Sequence, residues 1–226
     1  MFLKKVFVTF LLISLQATGA YSGGFVIDPG HSLKSPGAIS CTGKSEYLYN
    51  DSLAQYVLSY LLKQHTSVSL TRKANEELSL INRASAAAGK KLFLSIHHDS
   101  VQPLFITWKN HRPTSTKAEG YSIFVSSKNR YYEQSLKYAH RLGAALRSRG
   151  LSPSKHHGEK ISGENRQLLD SENGIYLFDD LVVLKNADAP SVLFEAAVIV
   201  NPQDEARAAS EQYKLQIAEA VLEMIE

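Results

Sequence analysis

The chain has 226 residues, with 25 Lys and Arg against 22 Asp and Glu and a formal net charge of +3. It holds one cysteine, which excludes an intramolecular disulfide and leaves stability to the core or to a bound metal. The basic excess gives nucleic-acid binding no support, because Lys4 and Lys5 sit in a leader-like segment and setting them aside brings the balance to about +1.

Residues 1–20 read as a secretory signal peptide. Lys4-Lys5 form a positive start, Val6 to Leu15 is an apolar run too short to span a bilayer, and Ala17-Thr18-Gly19-Ala20 offers small residues for cleavage. No cysteine follows closely, so a lipid anchor is not expected. Residues 21–226 are long enough for one domain with a sizeable core.

Phe25–Asp28 reads as a strand. Leu53, Tyr56, Val57, Tyr60 and Leu61 follow helical spacing, giving a helix from about Glu46 to Leu62. Val68–Thr71 is a short strand, and Glu77–Ala88 suits a helix ended by Gly89. Lys91–Ile96 is a buried strand and Tyr121–Ser126 another. Tyr132–Arg149 forms a helix with Leu136, Ala139, Leu142 and Leu146 inward and Gly150 as its stop. Leu181–Leu184 and Val192–Phe194 read as strands. A last helix starts near Asn201-Pro202, with Tyr213, Ile217, Val221 and Met224 on its inner face. This order predicts a single α/β domain: a mostly parallel twisted sheet with helices on both faces. Two segments break the pattern. Val101–Glu119 is polar and irregular and contains Trp108. Ser152–Gly174, a long loop, carries His156, His157, Glu159, Glu164, Arg166 and Asp170. Long loops in compact domains are usually functional or disordered.

Asp28-Pro29-Gly30-His31 places a histidine just past a strand's carboxyl end, the edge where open α/β sheets gather ligands. Alone, such a histidine is more often structural. Cys41 lies ten residues later and can in principle bind zinc, although a small loop residue is the simpler reading. Ser95-Ile96-His97-His98-Asp99 brings further histidines to a second strand end. Neighbours on a strand point to opposite faces, so one of His97 and His98 is a candidate ligand and the other a wall or supporting group. Glu46 opens the first helix, where it is equally a favourable first-turn acid. Glu195 is a carboxylate among Leu193, Phe194, Ala196, Ala197 and Val198, a costly placement unless paired or metal-coupled. A three-ligand His/Glu set with an open position describes catalytic zinc, whereas structural zinc is more often closed by four residues, often cysteines.

Further segments complete an ordered set: Pro36-Gly37-Ala38, Gly43 with Glu46, Leu70-Thr71-Arg72, Leu80 with Arg83, Phe93 to His97, Gly120 to Phe124, Val183-Leu184, and Pro190 to Glu195 followed by Asn201. In this set the chain resembles the zinc-dependent N-acetylmuramoyl-L-alanine amidases of the amidase_3 type, which cleave bacterial peptidoglycan. The resemblance covers about residues 24–224. It departs at Ser32-Leu33, His98-Asp99 and Ala196-Ala197-Val198, and Ser152–Gly174 is longer than in compact members.

The resemblance implies a catalytic domain over 21–226 in which His31, Glu46 and His97 hold one zinc ion, with water in the fourth position. Glu195 would act as general base and then acid on the amide joining N-acetylmuramic acid to L-alanine. His98, His156 or His157 could supply a further donor to the developing oxyanion. Glu159 or Glu164 could instead fill the open position and hold the enzyme off; the simpler reading has Glu164 and Arg166 contact the stem peptide or each other. The implied setting is periplasmic or secreted, as a monomer, with peptidoglycan as partner and a protein activator as a further class. Competing readings are another exported zinc peptidase or deacetylase, and a noncatalytic peptidoglycan-binding module.

Overall fold

The computed structural model describes residues 23–226; the expected signal peptide at 1–20 lies outside the described residues. In chain order the elements are β1 (Phe25–Pro29), α1 (Glu46–Lys63), β2 (Val68–Leu70), α2 (Leu80–Ser85), β3 (Leu92–Asp99), β4 (Thr107–Lys109), β5 (Arg112–Thr114), β6 (Ser122–Val125), α3 (Tyr132–Ser148), β7 (Gln167–Asp170), β8 (Ile175–Leu177), α4 (Val182–Asn186), β9 (Ser191–Val198), α5 (Pro202–Ala208) and α6 (Glu211–Ile225).

Seven strands form one sheet in the order β2-β1-β3-β9-β6-β8-β7. The pairs β1–β2, β1–β3, β3–β9 and β6–β8 are parallel, while β6–β9 and β7–β8 are antiparallel. Side-chain alternation divides the core into two layers. Ile27, Leu92, Leu94, Ile96, Ile123, Val192 and Phe194 pack with α1, α3 and α6. Val26, Phe93, Phe124, Tyr176 and Leu193 point to the other side and pack with Val183 and Leu184 of α4 and with Ala87, just after α2. The expected α/β sheet with helices on both faces is therefore present.

Several details differ from the sequence reading. Ser152–Gly174 is not all loop: Gln167–Asp170 forms the edge strand β7, paired with β8, a strand the sequence reading does not contain. Leu181–Leu184 is not a strand: Val182–Asn186 is a helical turn. Four apolar residues carry no distinguishing period. The turn is closed locally by Leu184 N and Lys185 N, which donate to Leu181 O at 3.1 Å each, and the distant Asn129 side-chain amide donates to Leu184 O at 2.7 Å and Ala187 O at 2.9 Å. The helix expected from Glu77 begins only at Leu80, because Ser79 caps it by accepting from Asn82 N at 3.1 Å. Glu77 is engaged elsewhere, accepting from Ser32 Oγ and Lys34 N. The last helix is two, since Ser210 caps α6 after α5 ends. Within Val101–Glu119, β4 and β5 form a hairpin around Asn110 and His111. Both turn residues have positive φ, as a two-residue type I′ hairpin turn requires.

One buried ion pair ties the sheet edge together. Arg83 donates through Nε to Asp28 Oδ1 at 2.8 Å and through Nη2 to Oδ2 at 2.6 Å. Thr71 Oγ1 donates to Oδ1 and Ser95 Oγ to Oδ2, each at 2.8 Å. A second buried carboxylate, Glu205 of α5, holds the loop before α1. It accepts from Cys41 Sγ at 2.5 Å, Thr42 N at 3.1 Å and the Tyr49 hydroxyl at 2.5 Å. Cys41 thus serves a loop contact and lies outside the His31 group. Burial and the Glu205 hydrogen bond push its thiol up to about 12.

Two outcomes are expected. Arg83→Met leaves Asp28 buried and unpaired and should cost about 3–5 kcal/mol in urea unfolding; an unchanged midpoint would remove the pair from its structural role. Burial works against ionised Glu205, but the Cys41, Thr42 and Tyr49 donors outweigh it and lower its pKa. Its stabilisation is therefore present above the unfolded carboxyl value of about 4.3 and is lost as pH falls through the lower folded value. Glu205→Gln should flatten that acid limb, read as melting temperature against pH.

Candidate metal centre and cleft

The site lies at the carboxyl ends of β1, β3 and β9. After β1 the chain turns at Gly30, and His31 takes a left-handed conformation with φ of 60°. Arg72 Nη2 fixes this turn, donating to His31 O at 3.0 Å and to Asp51 Oδ1 at 2.6 Å. His31 Nδ1 lies 3.1 Å from the Ser35 carbonyl, which can only accept. That contact puts the proton on Nδ1 and leaves Nε2 as a lone-pair donor, 3.2 Å from Glu46 Oε2. From β3, His97 Nδ1 lies 3.2 Å from Glu46 Oε1. One donor atom each from His31, Glu46 and His97 falls within 4.8 Å of the others.

Glu46 is buried and held from several sides. Ala38 N donates to Oε2 at 3.0 Å; Asn50 Nδ2 and His98 N donate to Oε1 at 3.1 and 3.2 Å. Burial disfavours its charge, yet the hydrogen bond and charge of His97, then the charge of His31, bring its pKa down to about 2. Burial lowers His31. Two imidazoles and an ionised carboxylate converge, and the carboxylate is oriented by outer hydrogen bonds, as second-shell groups orient metal ligands. This donor set fits a zinc ion. Two glycines make the approach possible. A Cβ on Gly30 would stand 2.3 Å from His97 Nε2, and one on Gly37, whose φ is 74°, would stand 2.3 Å from Glu46 Oε2.

Glu195 stands beside this group. In the parallel pairing of β3 and β9, His97 and Glu195 are direct register partners. Glu195 Oε2 is buried and has no hydrogen-bond partner. Burial, followed by the charges of Asp99 and Glu46, pushes its pKa well above the usual carboxylate range. Clefts open on either side. One of 420 Å³ is lined by His31, His97, Arg83 and Leu181; the other, of 300 Å³, by Glu195, Asp99, His157 and Arg166. Leu181 and Leu193 line both, so the two clefts adjoin beside the group.

The remaining candidates separate clearly. His98 points away, buried with Nδ1 2.8 Å from Asn50 Oδ1 and its ring beside Tyr49; burial lowers it to about 4. His156 is buried against Ser154. Of these three histidines only His157 lines the groove. Glu159 pairs with Lys117 at 2.9 Å, and Glu164 with His157 and Gln102 at 2.8 and 2.9 Å. Neither reaches the His31 group, so the structure does not bring a loop carboxylate to the open position. Arg166 donates to the Glu164 backbone carbonyl at 3.0 Å, not to its carboxylate. Sequence reasoning missed Asn50 and Asp99. Asn50 was detectable, since it stands four residues after Glu46 on the same helical face. Asp99 was not, because its partners are far along the chain.

Gly30→Ala should displace the His97 ring, visible as shifted imidazole NMR resonances and reduced zinc retention. Unaltered resonances would mean that the turn does not shape the site.

The family model for N-acetylmuramoyl-L-alanine amidases of the amidase_3 type matches residues 25–226. The N-acetylmuramoyl-L-alanine amidase AmiA of Escherichia coli is 27% identical over 242 residues, covering 89% of this chain and 75% of that protein. The chain spans only 50% and 55% of the length of two other curated relatives. The amidase Ami1 of Mycobacterium smegmatis shares the fold, with a TM-score of 0.70 at 20% identity over 90% of this chain and 95% of that one. So does the CwlD amidase of Clostridioides difficile, solved in complex with the GerS lipoprotein, with a TM-score of 0.64 at 20% identity over 89% and 95% of the two chains. With nearly all of its described length matched by the family model, the chain belongs to the N-acetylmuramoyl-L-alanine amidase family.

Proposed function

We propose that this protein is an exported zinc hydrolase that cleaves the amide between N-acetylmuramic acid and L-alanine in peptidoglycan, releasing stem peptides. The observation that carries the reading is the convergence of His31 Nε2, the Glu46 carboxylate and His97 Nδ1 beside Glu195, whose Oε2 is buried without a partner. His31, Glu46 and His97 would hold the ion. When bound, zinc supplies Lewis acidity, which makes water a competent nucleophile near neutral pH and polarises the scissile carbonyl. Glu195 takes the proton of the attacking water and returns it to the departing amine nitrogen. Its apolar surroundings favour the protonated form used in the acid step, and the positive charge of a cation held by the adjacent His31 group would favour the ionised form that the base step requires. The two adjoining clefts beside the group suit an extended polymer. His157, on the groove wall, is placed to contact the substrate's polar groups.

Export rests on the signal-peptide pattern at 1–20, with residues 21–226 as the catalytic domain in the periplasm or outside the cell. No helix among the described residues is long and apolar enough to cross a membrane. A protein activator is proposed as a further partner, on the precedent of the CwlD structure with its lipoprotein.

Mass spectrometry of digested peptidoglycan should find intact stem peptides freed from glycan, and a chelator should abolish their release. Released terminal amino acids would indicate a carboxypeptidase, released acetate a deacetylase, and no product a binding module. Glu195→Gln should keep its zinc and lose about 10²–10⁴-fold in turnover. His31→Ala should lose the zinc equivalent belonging to this group, and full retention would sink the ligand assignment.

A further inference from the structure

A second group of donor atoms lies outside the His31 set. Asp99, His156 and His157 each bring one ligand atom within 4.8 Å of the others. Asp99 ends β3, immediately past a register shift between His97 and Asp99. His156 and His157 open a short 3-10 turn, His156–Gly158, in the long loop. The loop crosses to the sheet here, held by a bridge between Tyr121 and Pro153 and by the Tyr176 hydroxyl donating to Ser154 O at 2.8 Å.

Asp99 Oδ2 lies 3.3 Å from His156 Nε2 and is hydrogen-bonded to His157 Nε2 at 2.7 Å, a contact that a bound cation would replace. Ligand atoms about 3.3 Å apart are what a tetrahedron with zinc–nitrogen bonds of about 2.0–2.1 Å requires. Each imidazole is fixed through its other nitrogen, His156 Nδ1 by Ser154 Oγ and His157 Nδ1 by Glu164 Oε2, both at 2.8 Å. Glu164 is in turn held by the Gln102 side-chain amide at 2.9 Å. Metal-bound histidines are oriented in this way, by a carboxylate or hydroxyl behind the ring.

One feature remains unexplained by protein contacts alone. His156 is 5% exposed, and its Nε2 is buried without a hydrogen-bond partner, directed toward Asp99 but not aligned to bond it. A buried nitrogen without a partner is destabilising unless something occupies its lone pair. The two imidazoles also lie side by side, with ring centroids 3.9 Å apart.

The geometry points to a second metal site, in which Asp99, His156 and His157 bind a zinc-class divalent cation that pins the long loop to the end of β3. Two imidazoles with one carboxylate favour zinc and its transition-metal neighbours over magnesium or calcium, which take oxygen ligands. The site stands on different residues from the His31 group. It shares the groove with Glu195, since Asp99 and His157 line the same 300 Å³ cleft. Its occupant would make one wall of the substrate groove dependent on metal.

The test is zinc content after saturation of the metal-stripped full chain and removal of free ion, measured by elemental analysis. The wild-type protein should retain two equivalents. His31→Ala should retain one, and His157→Gln should retain one. A single wild-type equivalent that disappears in His31→Ala would overturn the second site while leaving the amidase reading intact. A single equivalent that disappears in His157→Gln and persists in His31→Ala would support this site and remove the other. Should His157→Gln fail to fold, His31→Ala decides alone, because it leaves Asp99, His156 and His157 untouched. One equivalent retained there supports the second site, and none overturns it.

Discussion

The buried carboxylate of Asp28 holds the functional edge of the sheet in place. It is fully enclosed, and its oxygens are satisfied by Arg83 of α2, by Thr71 just past β2 and by Ser95 of β3. Burying an ion pair carries a desolvation cost that only good geometry and additional hydrogen bonds can offset. Here both are present, in a two-pronged contact with two hydroxyl donors. Three elements are thereby locked to the end of β1, and the next three residues, Pro29, Gly30 and His31, turn from a fixed base. Asn50 continues the same scaffold: its amide reaches both Gly30 O and Glu46 Oε1, at 3.1 Å each. The His31 turn and the Glu46 helix are positioned against each other before any metal is considered.

β3 then distributes three consecutive polar residues to three tasks. His97 faces the Glu46 carboxylate, His98 is buried against α1, and Asp99 meets the loop histidines. Strand alternation explains why His97 and His98 part company. The register shift explains the next step. On β9, Ala196 and Ala197 stand opposite His98 alone, so that Asp99 comes to pair with Val198. A bulge at a sheet end re-aims a side chain, and here it accompanies the departures from the family pattern at His98-Asp99 and Ala196-Ala197-Val198. Those departures and the long loop carrying His156 and His157 meet at one place in the fold.

Much of this was readable in the chain because strand ends are marked by short-range signals. An apolar run followed by Asp-Pro-Gly-His, or by Ser-Ile-His-His-Asp, declares both the strand and the polar residue that leaves it. The sequence reading therefore reached His31, Glu46, His97 and Glu195, and the fold brings all four to one edge. It failed where local signals are ambiguous or absent. Leu181–Leu184 has too few residues to reveal a period, and its contact with Asn129, more than fifty residues earlier, carries no local signal. The start of α2 turned on Ser79, a cap that competed with an equally plausible first turn at Glu77. The contacts among Asp99, His157 and Glu164 depend on how a loop returns to the sheet, and no spacing encodes that.

Glu46 and Glu195 show how position on one edge assigns opposite electrostatic characters to the same side chain. Glu46 sits between two imidazoles and accepts three N–H groups, so its negative charge is matched from every side. Glu195 meets no donor at its buried oxygen, and the charges nearest it are the carboxylates of Asp99 and Glu46. One environment favours a permanent anion and the other favours a group that keeps its proton, the division that lets paired carboxylates take different chemical roles. The direct neighbour relation of His97 and Glu195 in β3 and β9 fixes how close these environments stand. The opposite electrostatic characters of the two glutamates therefore follow from what each one touches, and the register of β3 and β9 sets Glu195 beside His97, the neighbour of Glu46.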